Sequence, residues 1–225
     1  MNYAIILAAG SGQRFDKKVS KSIFLINNKP LFSYCLNTVL ENKNIYKTLL
    51  VINKQDESFI NDYLKDNQIN TNVLICYGSN NSRTSSLIKA IDFLNQNFSL
   101  NENDIIITLD GDRPLVNQEL INKSIENSSK FLATNTIKPI YDSIIDLSND
   151  KYLNRDNIFI VQTPQSFQYK IWLNKKSINQ NTDLFSSIDF NLNKNNYIVG
   201  NDLNLKITTK DDLNIIKKIL SNRKN

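Results

Sequence analysis

Short apolar runs alternate with amphipathic helical patterns through the first 137 residues of the chain. A continuous run, such as residues 3–8 or 104–109, is typical of a strand that is buried on both faces of a parallel sheet. Between the runs, apolar residues recur at helical spacing, as in residues 83–95. Strands that alternate with helices favour right-handed βαβ units. The pattern therefore predicts an α/β fold, with a Rossmann-like three-layer arrangement around a mostly parallel sheet.

The alternation is interrupted at residues 139–156, which mix Tyr, Ile, Asp and Asn. Such a segment is typical of a two-stranded excursion, so we predict a protruding β-arm there. No linker or internal repeat divides the chain, and we expect one domain over residues 1–225. The other expected strands are 47–53, 72–76, 131–137, 158–162 (closed by Thr163-Pro164-Gln165) and 197–200, with residues 205–208 extended. The other expected helices are 30–40, 57–65, 117–129, 169–178 and 211–221.

Composition narrows the possible classes of function. The 225 residues can bury a sizeable core, and the net charge of +5 would allow a nucleic-acid binder. However, the lysines are spread along the chain, and there is no arginine-rich helix with interleaved aromatic residues. No stretch approaches 18 apolar residues, and the first residues lack the basic flank of a signal peptide. We therefore expect a cytoplasmic protein without a nucleic-acid or membrane partner.

The chain contains no histidine, which excludes Ser-His and Cys-His triads and a histidine general base. Its two cysteines, Cys35 and Cys76, lie far apart in apolar surroundings and lack the spacing of zinc ligands. We expect both to be buried thiols of a reducing compartment. Any chemistry must therefore use Lys, Arg, Asp, hydroxyl groups, backbone amides or a bound metal ion.

A basic loop with two glycines follows the first expected strand. In open parallel sheets, ligands bind outside the carboxyl ends of the strands. Gly10 and Gly12 would let the backbone approach phosphate oxygens, and Arg14 would add a planar cation. The loop has neither of the common glycine-rich phosphate-binding patterns, and similar loops are often plain turns with solvated charges. An anion site and a simple turn both remain open on these residues alone.

Six blocks then occur in order over nearly the whole chain. They are residues 7–15 with Lys21, Arg83-x-x-Ser86, Asp110-x-x-Arg113-Pro114, Arg155 with residues 162–167, Thr182-Asp183, and residues 204–209 with Asp212-Leu213. In this order and spacing they resemble the cytidylyltransferases that act on 2-C-methyl-D-erythritol 4-phosphate or ribitol 5-phosphate. The resemblance implies a nucleotidyltransferase domain that transfers CMP from CTP to a polyol or sugar phosphate and releases pyrophosphate. It also implies a homodimer, in which the arm at 139–156 completes the site of a second subunit.

The resemblance implies a role for each matched residue. The nucleotide would be bound by Ala8, Ala9, Gly10, Ser11, Gly12, Arg83 and Ser86. Negative charge at the phosphates would be stabilised by Arg14, Lys21 and Lys206. The acceptor pocket would be formed by Asp110, Asp112, Arg113, Ser143, Arg155, Thr163 and Thr182. Mg²⁺ would bridge triphosphate oxygens, with Asp110 or Asp112 as a candidate protein ligand. An alternative for Arg113 is a structural ion pair with one of these aspartates.

The sequence departs from the family pattern at several positions. Asp112 adds a carboxylate where the family usually has Ala or Val, and we hypothesise that it binds a metal ion or an acceptor hydroxyl. Ser20 and Ser22 flank Lys21 in place of Pro and Gln, and Ser79 and Asn80 replace a glycine pair, for which Gly78 would substitute.

The acceptor is the open question. In the arm, Ser143 keeps a hydroxyl, but Ile145 replaces the usual lysine. Ala8-Ala9 favours methylerythritol phosphate, which feeds isoprenoid synthesis, whereas the missing lysine favours a ribitol-type acceptor for cell-surface polymers. A non-catalytic nucleotide-binding relative is the alternative outside the enzymes.

Overall fold

The structure is a computed structural model that describes residues 1–10, 20–79, 81–173 and 196–222. Four residues with expected roles, Ser11, Gly12, Arg14 and Thr182, lie outside the described residues. None of the helices in the described ranges is long and apolar enough to cross a membrane.

A seven-stranded sheet forms the centre of the molecule. Its strands are β1 (Asn2–Leu7), β4 (Lys47–Ile52), β5 (Val73–Tyr77), β6 (Ile105–Asp110), β7 (Ala133–Pro139), β10 (Phe159–Gln168) and β11 (Tyr197–Val199). Their order across the sheet is β5-β4-β1-β6-β10-β7-β11. β1 pairs in parallel with β4 and β6, β4 with β5, and β7 with β11, whereas β10 is antiparallel to both of its neighbours. The sheet is thus mostly parallel, as predicted.

Helices cover both faces of the sheet. They are α1 (Leu31–Leu40), α2 (Glu57–Asp66), α3 (Arg83–Asn97), α4 (Gln118–Phe131), α5 (Tyr169–Leu173) and α6 (Lys210–Asn222). Successive side chains of a strand point to opposite faces. Tyr3 and Ile5 accordingly lie in the core layer that contains residues of α3 and α5, whereas Ala4 and Ile6 lie in the layer of α1, α2 and α4. This arrangement is the predicted three-layer architecture.

A third, smaller apolar cluster attaches the C-terminal helix to the rest of the domain. Ile207, Leu213 and Ile216 pack there with Ile26 and Leu31. Ile26 belongs to a short hairpin of β2 (Leu25–Ile26) and β3 (Lys29–Pro30). The segment that precedes α6 is therefore fixed next to the residues that follow Lys21.

Strand β10 is longer than the sequence indicates. The expected strand ends at Gln162, but β10 continues to Gln168, with a register shift against β7 between Gln162 and Ser166. Pro164 lies within this irregularity, where a residue without an N–H group is tolerated. The irregular part of β10 remains bound to β7 through a side chain: Thr136 Oγ1 donates a hydrogen bond to the Pro164 carbonyl at 2.6 Å. A bulge therefore replaces the expected strand end.

An antiparallel hairpin separate from the main sheet occupies part of residues 139–156. It consists of β8 (Ile144–Asp146) and β9 (Lys151–Leu153). Large apolar side chains are exposed around it, namely Tyr141 at 71%, Leu147 at 81% and Tyr152 at 76%. Such a group of exposed apolar residues is typical of an interaction surface rather than of a solvated loop.

Candidate active site

A pocket of about 1040 Å³ opens at the carboxyl edge of the sheet. The adjacent parallel strands β6, β1, β4 and β5 all end at this pocket, because the carboxyl ends of neighbouring parallel strands lie at the same edge of the sheet. The lining includes residues 8–10 after β1, residues 53–55 after β4, Gly78 and Ser79 after β5, and Gly111 and Asp112 after β6. The position and size suit a ligand as large as a nucleotide.

The N-terminus of α3 also faces the pocket, through Ser82, Arg83 and Ser86. Ser82 caps the helix, because its hydroxyl accepts a hydrogen bond from the Ser85 amide at 3.0 Å. Ser86 Oγ accepts from the Ser79 amide at 2.9 Å and so ties the helix to the turn after β5. A helix N-terminus carries partial positive charge and favours an anion such as phosphate.

Gly78 lets two parts of the pocket wall approach each other closely. A Cβ atom at this position would lie 2.4 Å from Ala9 Cβ and 3.0 Å from Ser86 Oγ. Any other residue would push the loop after β1 away from the start of α3. The glycine therefore sets the width of the pocket between Ala9 and Ser86.

Asp110 gathers three cations at the floor of the pocket. Its Oδ1 accepts from Arg83 Nε at 2.9 Å, while Oδ2 lies 3.1 Å from Lys206 Nζ and 3.2 Å from Arg113 Nε. Burial acts to raise the pKa of Asp110, but the charges of Arg83, Lys206 and Arg113 outweigh it and hold the pKa well below the ordinary value. Asp110 is therefore an ionised anchor for cations, and it has little remaining capacity for a metal ion.

Asp112 lies next to this cluster and connects two lysines. Its Oδ2 pairs with Lys21 Nζ, which also donates to the Ile207 carbonyl at 2.9 Å. Its Oδ1 is 3.9 Å from Lys206 Nζ and is buried without a hydrogen-bond partner among the described residues. The Asp112 carbonyl accepts from the Ile207 amide at 2.9 Å. The turn after β6 and the segment before α6 are thus held together around the two lysines.

A second set of polar side chains supports the cation cluster from behind. Arg83 Nη2 donates to Gln165 Oε1 at 3.3 Å, and Gln165 Nε2 donates to Asn135 Oδ1 at 2.8 Å. The Asn204 carbonyl accepts from Arg113 Nη1 at 2.8 Å, and Asn204 Nδ2 donates to the Thr163 carbonyl at 2.8 Å. These contacts fix the guanidinium planes, as buried donors need partners.

The pocket brings together most of the described residues for which the sequence predicted a role. Those in its lining are Ala8, Ala9, Gly10, Lys21, Arg83, Ser86, Asp110, Asp112 and Lys206. Residues from four of the six sequence blocks therefore meet at one edge of the sheet. Their juxtaposition agrees with a single anion-binding site.

The four remaining described residues of the expected acceptor group are not in the lining. Arg113 and Thr163 are buried behind it, where Arg113 pairs with Asp110 and Thr163 Oγ1 accepts from the Asp110 amide at 3.0 Å. For Arg113, this is the ion pair considered as the alternative from the sequence. Ser143 and Arg155 are exposed near the β8–β9 hairpin, where Arg155 donates to the Tyr141 carbonyl. Both side chains therefore lie at the protein surface, outside the pocket of their own chain.

Several lining residues were missed at the level of sequence. Asn53, Lys54 and Gln55 follow the strand β4, Tyr77 is the last residue of β5, and Lys89 belongs to α3. The Tyr77 hydroxyl donates to Glu57 Oε1 at 2.5 Å. Ligands bind outside the carboxyl ends of parallel strands, and this rule identified residues 8–10 from the sequence. It applies equally to residues 53–55, which could therefore have been identified in the same way.

The charge of the lining suits a polyanion. Among the described lining residues there are five cations and two carboxylates. The described residues contain no group of three or more Asp, Glu, Cys or His side chains that could hold a metal ion. With the side chains of the described residues alone, a divalent cation would take most of its ligands from a bound phosphate compound and from water.

Comparison with known proteins identifies the family of the chain. The profile of the 2-C-methyl-D-erythritol 4-phosphate cytidylyltransferases matches residues 2–222. The chain belongs to this family. A relative from Thermosipho africanus, named 2-C-methyl-D-erythritol 4-phosphate cytidylyltransferase, is 32% identical over 96% of this chain and 96% of its own. The cytidylyltransferases are nucleotidyltransferases, as the sequence blocks predicted.

Two further comparisons concern the acceptor and the fold. A protein of Lactiplantibacillus plantarum, named ribitol-5-phosphate cytidylyltransferase, is 28% identical over 99% of this chain and all of its own. The crystal structure of 4-diphosphocytidyl-2C-methyl-D-erythritol synthase from Anaerococcus prevotii superposes with a TM-score of 0.74 at 28% identity, covering 98% of each chain. This solved relative thus shares the fold along nearly the whole length of both chains.

Proposed function

We propose that this cytidylyltransferase transfers CMP from CTP to 2-C-methyl-D-erythritol 4-phosphate and releases pyrophosphate. The observation that carries the proposal is the meeting of Lys21, Lys206 and Arg83 with the N-terminus of α3 in one pocket at the strand ends. This arrangement provides fixed positive charge for a triphosphate. The methylerythritol acceptor is supported by the family match and by relatives such as the Thermosipho africanus protein.

The proposed reaction needs charge and position more than it needs a base. An oxygen of the acceptor phosphate forms a bond to the α-phosphorus of CTP, the bond to the bridging α–β oxygen breaks, and pyrophosphate takes the electron pair. The attacking phosphate is already ionised, so the absence of histidine is no obstacle. Lys21 and Lys206 would offset the negative charge that grows as pyrophosphate leaves.

Mg²⁺ is part of this proposal, bound mainly by the triphosphate and water. It would neutralise phosphate charge and favour pyrophosphate as the leaving group. The donor set argues against Asp110 as a ligand, because Arg83, Arg113 and Lys206 occupy its two oxygens. Asp112 has one oxygen on Lys21, so it would offer the ion at most its Oδ1, which has no hydrogen-bond partner among the described residues.

The acceptor side is proposed to be completed by a second copy of the chain. Ser143 and Arg155 lie near an exposed hairpin surrounded by Tyr141, Leu147 and Tyr152. An arm of this kind fits a homodimer in which it reaches the pocket of the partner. We further propose a cytoplasmic location, which is supported by the two buried free cysteines, Cys35 and Cys76.

Ribitol 5-phosphate is the second candidate acceptor. The Lactiplantibacillus plantarum relative bears that name. In addition, Ile145 occupies the arm position at which the resemblance to the family implies a lysine. The two acceptors differ in carbon branching and length, so they can be compared directly with one enzyme preparation.

A pyrophosphate-release assay tests the proposal. The purified chain is supplied with CTP, Mg²⁺ and either acceptor, and then with ATP, GTP or UTP in place of CTP. We expect turnover with CTP and a kcat/KM for methylerythritol phosphate at least about tenfold above that for ribitol phosphate. A higher kcat/KM for ribitol phosphate than for methylerythritol phosphate would instead identify ribitol 5-phosphate as the acceptor. Measurable CTP binding without release for either acceptor would favour a non-catalytic nucleotide-binding protein.

A further inference from the structure

The pocket contains one carboxylate whose position the proposed reaction does not explain. Asp112 lies among the cations that are expected to bind triphosphate, and it lines the pocket itself. A negative charge there opposes the binding of a polyanion. The described ion pairs of Asp112 are with Lys21 and Lys206. Its role must therefore concern the two lysines that it does approach.

The geometry around Asp112 links Lys21 and Lys206. Lys21 Nζ is held by Asp112 Oδ2 and by the Ile207 carbonyl, and its side chain is only 14% exposed. Lys206 Nζ lies between Asp110 Oδ2 at 3.1 Å and Asp112 Oδ1 at 3.9 Å. Two ammonium groups that share one carboxylate remain close together despite their mutual repulsion. The backbone bond from Ile207 to Asp112 fixes the base of the same unit.

We propose that Asp112 is a positioning residue that holds Lys21 and Lys206 on one carboxylate and limits the charge that they present to phosphates. The inference rests on the proposed function, because it assigns the two lysines to the triphosphate and to pyrophosphate. Shared with a carboxylate, the lysines bind pyrophosphate less tightly than two free cations would. Asp112 thereby sets the balance between nucleotide affinity and the release of pyrophosphate.

The substitution Asp112→Asn separates charge from shape. Asparagine keeps an oxygen that can accept a hydrogen bond from Lys21, but it removes the negative charge. We expect pyrophosphate and CTP to bind at least about fivefold more tightly, with a steeper loss of affinity on adding salt. We expect kcat to fall, because release of pyrophosphate slows and Lys206 loses its second carboxylate. A purely structural role would instead weaken binding and lower the melting temperature.

Direct calorimetric binding of pyrophosphate and CTP, without acceptor, provides the main readout. Asp62→Asn is the matched control, since it removes the same charge from an exposed position on α2. Unchanged or weaker pyrophosphate binding in folded Asp112→Asn would overturn the inference. Because binding is measured without turnover, a failure of the proposed function appears separately, as normal CTP binding with no acceptor consumed.

A second variant covers the case in which Asp112→Asn does not fold. Asp112→Glu retains the charge but moves the carboxylate by one methylene group. We expect its pyrophosphate affinity to stay within about twofold of the wild type, while kcat falls because the lysines are displaced. The inference would be contradicted if Asp112→Glu bound pyrophosphate about fivefold more tightly, as expected for Asp112→Asn. A kcat of Asp112→Glu equal to that of the wild type would also contradict it.

Discussion

Arg83 and Asp110 form an ion pair in which Arg83 Nε lies 2.9 Å from Asp110 Oδ1. Arg83 is the first residue of α3, and Asp110 is the last residue of β6. The pair therefore connects the start of a helix to the end of a strand at the pocket. Because Arg113 and Lys206 bind the same carboxylate, one buried anion fixes the positions of three cations.

Replacing Asp110 with Asn should damage both stability and activity. The change leaves Arg113 buried without a counter-ion, and loss of one partner of a buried pair costs about 3 kcal/mol or more. Arg83 and Lys206 would lose their common anchor, so we expect kcat/KM for CTP to fall by about a hundredfold or more. Urea unfolding and steady-state kinetics measure the two effects.

Glu119→Gln is the control for this substitution, since it breaks an exposed ion pair with Lys123 on α4. Its effect on the free energy of unfolding should be small beside that of Asp110→Asn, because solvent-exposed ion pairs contribute little to stability. If Asp110→Asn were equally harmless, Asp110 would not be the anchor of the cation cluster.

Acid should destabilise the fold partly through Asp110. The cations around Asp110 keep its pKa below the ordinary value of 3.8 in the folded chain. Its contribution to stability is therefore complete above that value and is lost as the pH falls, because the unfolded chain then binds a proton that the folded chain does not.

The measurement is the free energy of unfolding from about pH 5 down to about pH 2. In the pH range where Asp110 is protonated in the unfolded chain but not in the folded chain, the free energy of unfolding should depend more steeply on pH in the wild type than in Asp110→Asn. The difference in slope should reach up to about 1.4 kcal/mol per pH unit, which corresponds to one proton. Asp212, which accepts from the Thr208 and Thr209 amides, has its pKa lowered as well and contributes to both proteins. Parallel slopes in the two proteins would remove Asp110 from this explanation.

Gly78→Ala should alter the nucleotide pocket. The added methyl group would lie 2.4 Å from Ala9 Cβ, so the loop after β1 or the start of α3 must move. We expect the Kd for CTP to rise about tenfold and the stability to fall by about 1–3 kcal/mol. Isothermal titration and urea unfolding measure the two quantities.

Gly200→Ala serves as the steric control for that variant. Its Cβ would lie 2.4 Å from Gln162 Oε1 and 2.8 Å from Thr136 Cγ2, and Gly200 is not among the described lining residues. We expect a similar loss of stability with CTP affinity within about threefold of the wild type. Equal losses of CTP affinity in both variants would mean that Gly78 has no specific effect on the pocket.

Much of the fold could be predicted from periodicity alone. The buried strand that ends at Asp110 and the helix that starts at Arg83 both follow from the pattern of apolar residues. The continuation of β10 past Pro164 could not be predicted, because a register shift accommodates the proline only once β7 is alongside. Periodicity describes each element separately, whereas a bulge depends on the neighbouring strand.

The candidate site likewise has parts that the sequence predicts and contacts that only the structure reveals. The rule that ligands bind at strand ends placed residues 8–10 at the carboxyl edge of the sheet, and the resemblance to the family assigned Asp110 to the site; both line the pocket in the structure. The pairing of Lys21 with Asp112 joins residues 91 positions apart, and no local rule brings them together. Likewise, the sequence could assign Thr163 to a block, but only packing shows that it accepts from the Asp110 amide.

Complementation between two inactive variants tests the proposed homodimer. Lys21→Ala disables the pocket of its own subunit, and Arg155→Ala disables the arm that would serve the partner. Each variant alone should be inactive, whereas mixing them should restore roughly a quarter of wild-type activity, because half of the dimers are mixed and each contains one complete site. Light scattering supplies the mass of the species. Fully active monomers at micromolar concentration would contradict this arrangement.

The most direct test of the central claim is to identify the product of a single incubation. Wild-type chain, CTP, Mg²⁺ and 2-C-methyl-D-erythritol 4-phosphate are combined, and phosphorus NMR follows the reaction, with Lys21→Met as the matched inactive variant. We predict a cytidine diphosphate ester of methylerythritol and one equivalent of pyrophosphate, formed at least about a hundredfold more slowly by Lys21→Met. Unchanged CTP and acceptor, in the presence of demonstrated CTP binding, would contradict the account.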